Sequence, residues 1–181
     1  LENKTIEHIN RVGKLLIFSF INAPDLFLLA HLKMTGQFFY VEGEAVVTGG
    51  GHSMSENDVS EFPGRHTRVS FSFDDGSMLY FNDMRIFGYA KLANAEEVKK
   101  ARAGFGPEPI DSDFDCVWFS DSLRKKRTVV KAALLNQSFI AGLGNIYVDE
   151  ALWRAKVRPE RKANKVTKAE ATALCAAAGD V

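Results

Sequence analysis

Two glycines set two residues apart, in Gln137-Ser138-Phe139-Ile140-Ala141-Gly142-Leu143-Gly144-Asn145, constrain this chain more than any other feature. A helical run over 128–136 leads into them and another over 146–155 leads out. Glycine breaks a helical pattern and reaches backbone angles closed to other residues. Asn145 stands where the second helix starts, as a cap or as a polar group aimed at a ligand. Amides at such a start favour anions, phosphates among them. Taken alone, Gly-x-Gly-Asn reads more readily as an ordinary elbow between two helices, and the surrounding residues decide between the two readings.

Charge is the first of these. The formal net charge of zero hides an asymmetry: residues 1–123 carry 11 basic and 18 acidic side chains, whereas residues 124–168 carry 12 and 3. A basic run is usually a solvated face, but this one flanks the glycine turn on both sides, which fits a polyanionic partner. No apolar run approaches the about 20 residues of a membrane span, so a soluble protein is expected. Cys116 and Cys175 lie far apart and form no Cys-x-x-Cys pair. That argues against a zinc site within this segment and suits a reducing compartment. The chain opens on Leu1 and stops at Val181 inside a helical pattern, as a fragment would.

Residues 11–92 alternate and punctuate like an antiparallel sheet, a β-sandwich or half a barrel. Arg11 to Phe20 forms one β-type run with Lys14 ahead of its apolar stretch, and residues 1–10 lack a partner. Leu26–Lys33 and Gln37–Val41 are further strands. Val69, Phe71 and Phe73 share one face of the next, and Asp74-Asp75-Gly76-Ser77 turns into Met78–Phe81. Phe87–Leu92 closes the set. Between them, 42–64 reads as a long mobile loop. Lys14 is as readily an exposed lysine, and Met34 a core residue. Yet an Arg and a Phe two residues apart, Arg85 and Phe87, could wedge into a base stack together with Met34.

The second half is helical. Asn94 caps a short charged helix to Arg102, and Gly106-Pro107-Glu108-Pro109 reads as the linker because proline excludes helix there. A helical pattern resumes over 111–125, with Phe114, Val117, Trp118 and Leu123 as core candidates. The run Arg124–Arg127 enters the helix over 128–136, whose inner face is Val129, Ala132, Ala133 and Leu134 or Leu135. Lys131 lies near its start. Ile146, Ala151 and Leu152 face the core of the next helix, Pro159 ends it, and Thr167 caps an alanine-rich last helix. The expected division is 1–93 for the sandwich, 94–110 for a linker with its helix, and 111–181 for the helical domain.

With these residues in view, the chain resembles the formamidopyrimidine-DNA glycosylase and endonuclease VIII family of base-excision repair enzymes. Five blocks in order carry the resemblance: Arg11-Val12-Gly13-Lys14, His31-Leu32-Lys33-Met34-Thr35-Gly36, Asp83-Met84-Arg85-Ile86-Phe87-Gly88, Gly106-Pro107-Glu108-Pro109, and Lys131 through Glu150. The last is the family's helix–two-turns–helix signature. The resemblance implies an α+β protein, an antiparallel β-sandwich followed by the helical domain, with duplex DNA gripped between them. By position, Lys14 resembles the lysine that contacts the lesion phosphate and donates a proton in β-elimination. His31, Lys131 and Asn145 resemble the other phosphate-gripping residues, and His66 and Lys126 match further DNA-contacting positions. Met34, Arg85 and Phe87 resemble the trio that fills the gap left by an extruded base, with Arg85 facing the orphaned partner. That trio favours the formamidopyrimidine branch, which acts on oxidised purines such as 8-oxoguanine, over the endonuclease VIII branch, which acts on oxidised pyrimidines.

The family's nucleophile is an N-terminal proline followed by glutamate, and this chain begins at Leu1. Its amine, with a pKa of about 7.7–8.0, is partly neutral at physiological pH and attacks the sugar C1′. The family's C-terminal zinc finger also has no counterpart here, so no metal or cofactor is expected of this segment. Ile86 stands where a second arginine is common. The chain is therefore expected to be the central part of a monomeric DNA glycosylase/AP lyase, binding duplex weakly and excising nothing alone. Its partner is double-stranded DNA with an oxidised base or abasic site, in the bacterial cytoplasm or a eukaryotic nucleus, with no membrane. A non-catalytic damage-binding module and an RNA- or ribosome-binding helix–two-turns–helix protein are the alternatives; the wedge trio and Lys14 speak against the latter.

Overall fold

The structure, a computed structural model, describes residues 1–43, 45–49 and 62–181. The chain divides between Val98 and Lys99 into two compact units. Among the described residues the first contains eight strands: β1 (Ile6–Val12), β2 (Leu15–Phe20), β3 (Phe27–His31), β4 (Gly36–Glu42), β5 (Ala45–Gly49), β6 (Thr67–Ser72), β7 (Met78–Asp83) and β8 (Tyr89–Ala93). They pair antiparallel into two four-stranded sheets, ordered β1-β2-β3-β8 and β5-β4-β7-β6. Period-two alternation places Phe18, Phe20, Leu28 and Ala30 of one sheet against Phe38 and Phe71 of the other. The Phe18 and Phe38 rings meet edge-on at 5.8 Å. The sandwich is as expected.

Its first ten residues are not. β1 pairs with β2 along its length, Val12 opposite Leu15, so Gly13-Lys14 is a two-residue hairpin turn inside what reads as one run. The cause is β1's place at the sheet edge. Glu7, His8, Asn10 and Arg11 are exposed there, and a polar edge strand carries little hydrophobic signal. The 42–64 stretch likewise contains a strand, with β5 returning onto β4 through Glu42 opposite Ala45; residues 50–61 of that loop lie outside the described residues. Residues 84–88 connect β7 to β8 through a bend, so the last strand begins at Tyr89 and not at Phe87.

Helix α1 (Ala95–Ala103) starts with a reciprocal cap. Asn94 Oδ1 accepts from the Glu97 amide, and Glu97 Oε2 accepts from the Asn94 amide. The second unit holds α2 (Cys116–Arg124), α3 (Val130–Leu135), α4 (Asn145–Arg154), a 3₁₀ turn (Ala163–Lys165) and α5 (Lys168–Gly179). Phe119, Leu123, Val130, Leu134, Ile140, Val148, Leu152 and Leu174 are among the buried residues of its core. Thr167 caps α5 through a capping box with Glu170, as expected. Glu170 also accepts from Arg161, and that bond with the Thr167 contacts holds its pKa down at about 2.

Several core assignments shift by one or two positions. Asp115 caps α2 by accepting from the Val117 and Trp118 amides, so the helix begins later than 111 and leaves Val117 and Trp118 exposed. Val130 takes the buried place expected of Val129, and Ala132 is exposed. Ile146 is 64% exposed, and Val148 fills the core instead. Each error follows from starting the 3.6-residue period at the wrong residue when the cap lies elsewhere than expected. Gly106–Pro109 is no free linker: Gly106 donates its amide to the Gln137 carbonyl, Ala141 donates to Pro107, and Glu108 is buried. Cys116 and Cys175 are joined in a disulfide, Cα to Cα 5.7 Å, where the sequence reading treats them as distant and unpaired. Fifty-nine residues separate them, so only the tertiary fold brings them together.

Candidate nucleic-acid interface

In the first unit, the β1–β2 turn and the β3–β4 and β7–β8 connections converge. Gly13 has φ 54, and this hairpin turn presents Lys14, exposed, at its tip. Lys14 Nζ donates to the Lys33 carbonyl at 3.4 Å. The Lys33 amide in turn donates to His31 Nδ1 at 3.0 Å. A nitrogen that accepts carries no proton, so neutral His31 has its hydrogen on Nε2 and is a donor there. Burial, then the charges of Lys33 and Lys14, lower its pKa from 6.5 to about 4, so the ring is neutral at pH 7.

Asp83, only 1% exposed, organises the rest. Its carboxylate accepts from the Thr35 hydroxyl, from the Arg85 amide at 3.2 Å and from the Gly88 amide at 2.6 Å. Burial raises its pKa, but those hydrogen bonds outweigh burial and leave it below the ordinary aspartate value. Gly88 must be glycine, because a Cβ would meet the His31 carbonyl, the Phe81 ring and the Asp83 carboxylate at 2.9–3.0 Å. Tied in this way, the two connections bring the trio together. Arg85 Nη1 lies 3.5 Å from Met34 Sδ, and its Cζ lies 4.8 Å over the Phe87 ring. Met34 and Phe87 are 50% and 53% exposed, a polarizable and an aromatic side chain left in water around a guanidinium. The Asp83 amide also donates to the His66 carbonyl, anchoring the turn that carries His66, whose buried Nδ1 has no hydrogen-bond partner among the described residues. Lys14, His31, Met34, His66, Arg85 and Phe87 are thus linked through a continuous set of contacts.

The second unit positions Lys126, Lys131 and Asn145. Lys126 Nζ lies 4.3 Å over the Phe139 ring. Gly142, at φ 92, supplies the left-handed residue of the turn; Gly144 has φ −100 and needs no such freedom. Gln137 holds that turn. Its Oε1 accepts from the Gly142 amide at 3.0 Å and its Nε2 donates to the Leu143 carbonyl at 2.8 Å. The N-cap of α4 is Gly144, not Asn145, and no side chain caps it. Asn145 is the first helical residue and is exposed, so the uncapped amides and its amide group share one end of the helix. Lys131, second residue of α3, has its Nζ on the Asp149 carboxylate.

Sequence reasoning missed Asp83, Gln137 and Asp149, which position the expected residues. The signal for Asp83 was faint: an acid at a strand end, five residues before a glycine whose amide it accepts from. Among the described residues, no group of three or more His, Cys, Asp or Glu could hold a metal, and the two cysteines are bonded to each other. These residues do not fit a zinc ion. No helix among them is long and apolar enough to cross a membrane.

A β-sandwich followed by a helix–two-turns–helix unit, each presenting cations beside aromatic or polar groups, defines the architecture of a DNA-repair glycosylase fold. The formamidopyrimidine-DNA glycosylase N-terminal domain profile matches residues 1–90, and the H2TH domain profile of the same enzymes matches residues 105–181. The chain belongs to the formamidopyrimidine-DNA glycosylase family. It is 40% identical over 176 residues to the formamidopyrimidine-DNA glycosylase of Ligilactobacillus salivarius, covering 96% of this chain and 57% of that protein. It is 38% identical over 176 residues to that of Streptococcus pneumoniae, with the same two coverages. Its fold matches that of MutM in complex with carbocyclic 8-oxo-G containing DNA, at a TM-score of 0.78 and 33% identity over 98% of this chain and 61% of that one. The Lactococcus lactis Fpg in complex with abasic-site DNA gives the same score and identity, over 98% and 59%. The chain therefore spans under two thirds of the length of these relatives.

Proposed function

We propose that this chain supplies the DNA-holding and gap-filling residues of a glycosylase and AP lyase that excises oxidised purines, 8-oxoguanine and formamidopyrimidines, from duplex DNA and cleaves the resulting abasic site. The observation that carries this reading is the exposed Met34–Arg85–Phe87 cluster, assembled by Asp83 from two connections far apart in sequence. A base cannot be attacked inside the stack, and flipping it out costs a few kcal/mol of unstacking. Side chains that enter the void offset that cost. Phe87 offers a stacking face, Met34 fills irregular space, and the Arg85 guanidinium supplies donors for the base left behind.

The backbone is held by cations and helix amides. Lys14, at its hairpin tip, contacts the lesion phosphate and supplies the proton of β-elimination. His31 donates from Nε2 to a phosphate oxygen without adding charge, while Lys126, Lys131 and the start of α4 with Asn145 grip flanking phosphates. His66 belongs to the same DNA-facing set. The relatives support the substrate class: MutM and the Lactococcus lactis Fpg are seen with DNA carrying 8-oxo-G, Fapy-dG or an abasic site. The protein acts as a monomer on double-stranded DNA.

The test is competition binding among otherwise identical duplexes carrying 8-oxoguanine opposite cytosine, an oxidised pyrimidine, or no lesion. The purine lesion is expected to compete best. Preference for the pyrimidine lesion would assign the protein to the endonuclease VIII branch, and no preference would make it a general duplex binder.

A further inference from the structure

Lys131, a phosphate ligand in the reading above, already has an anion. Its Nζ lies 2.8 and 2.9 Å from the two carboxylate oxygens of Asp149. Asp149 stands four residues after Asn145 on α4, so both side chains share one face of the helix. The pair lines a groove of about 660 Å³ whose other charged lining residues are Lys156 and Arg158. Among the described residues Asp149 is the only acid lining it, and it is committed to the lysine expected to grip DNA.

We infer that Asp149 is a displaceable counter-ion that competes with DNA phosphate for Lys131 and so limits how strongly the helical unit holds the backbone. This rests on the reading of Lys131 as a phosphate ligand. An exposed lysine–carboxylate pair is weak, and a phosphate in the dense row of duplex charges can displace the carboxylate. The displaced Asp149 then leaves a negative charge beside the incoming phosphate and takes up a cation of its own. Contact through Lys131 thus releases fewer counter-ions overall than a lysine without a partner would. Asp149 lowers affinity for any duplex and leaves discrimination to the Met34–Arg85–Phe87 cluster.

The experiment measures affinity for an abasic-analogue duplex from low to high salt, for wild type, Lys131→Ala and Asp149→Asn. Circular dichroism melts confirm that each variant is folded; Asp149 is exposed, and asparagine matches its shape. Lys131→Ala is expected to bind more weakly with a shallower salt dependence. Asp149→Asn is expected to bind about two- to fivefold more tightly at low salt, the effect of removing an exposed competitor, with a steeper dependence. If Asp149→Asn instead weakens binding as Lys131→Ala does, Asp149 positions the lysine and the inference is overturned while the phosphate reading stands. An Asp149→Asn variant identical to wild type overturns it equally. If Lys131→Ala leaves both affinity and slope unchanged, the phosphate reading of Lys131 fails, and the inference fails with it.

Discussion

Asp83 shows how one buried carboxylate decides the placement of side chains it never resembles in sequence. It satisfies the amides of Arg85 and Gly88 and the hydroxyl of Thr35, and through them fixes the bends carrying Arg85, Phe87 and Met34. Replacing it with alanine removes the acceptor that those three donors share. Asp83→Ala is expected to cost about 3–5 kcal/mol at neutral pH, measured by urea unfolding. The sign of its pH dependence follows from the depressed carboxyl. A native pKa below the ordinary 3.8 gives stability that is full above that value and lost as pH falls through the native one. The gap between wild type and variant should therefore hold from pH 7 to about 4 and narrow below it. A variant as stable as wild type at pH 7 would mean that water replaces the carboxylate and that the connections hold themselves. His31 shows the same economy at Lys33, accepting on one nitrogen and leaving the other to donate.

At the scale of elements, the glycine turn is a braced structure. Gln137 spans it from within, and Gly106 and Pro107 brace it from a segment that reads as linker. Proline and glycine there gave a correct exclusion of helix but said nothing of burial, because backbone hydrogen bonds to a distant turn leave no local pattern. The strands with inward aromatics, the capped α1 and α5 and the helix pair around Gly142 were all legible, since each rests on periodicity or capping within a few residues. β1 was not, being a polar edge, and neither was the Cys116–Cys175 bond, which only the packing of α2 on α5 brings about. That bond closes a loop containing α3, the turn and α4. Chain entropy puts its contribution at up to roughly 4 kcal/mol. Reduction is thus expected to lower the melting temperature of the helical unit by about 10 °C or more. An unchanged melt with two titratable thiols before reduction would show that the pair is not bonded in solution.

For the whole molecule, the uneven charge fits the proposed division of labour between the two units. The acidic first half carries a small cluster able to read a gap in the stack, and the basic second half carries cations and helix amides suited to the backbone. Five sequence blocks contain the residues proposed for the two sets, apart from His66 and Lys126. Among their supports, Asp83 left only a faint trace, because a hydrogen bond across 48 residues, as from Thr35 to Asp83, has no signature in one chain. The central claim is that these two sets perform separable tasks on one duplex. It is tested most directly by measuring, for Phe87→Ala and Lys131→Ala, both the preference for an abasic-analogue duplex over an undamaged one and the salt dependence of binding. Phe87→Ala is expected to reduce the preference by about tenfold, the scale of one lost stacking contact, and to leave the salt slope unchanged. Lys131→Ala is expected to lower the slope by up to about 0.9 and leave the preference intact. If both variants lose preference and slope together, or neither moves either quantity, the division of tasks is wrong.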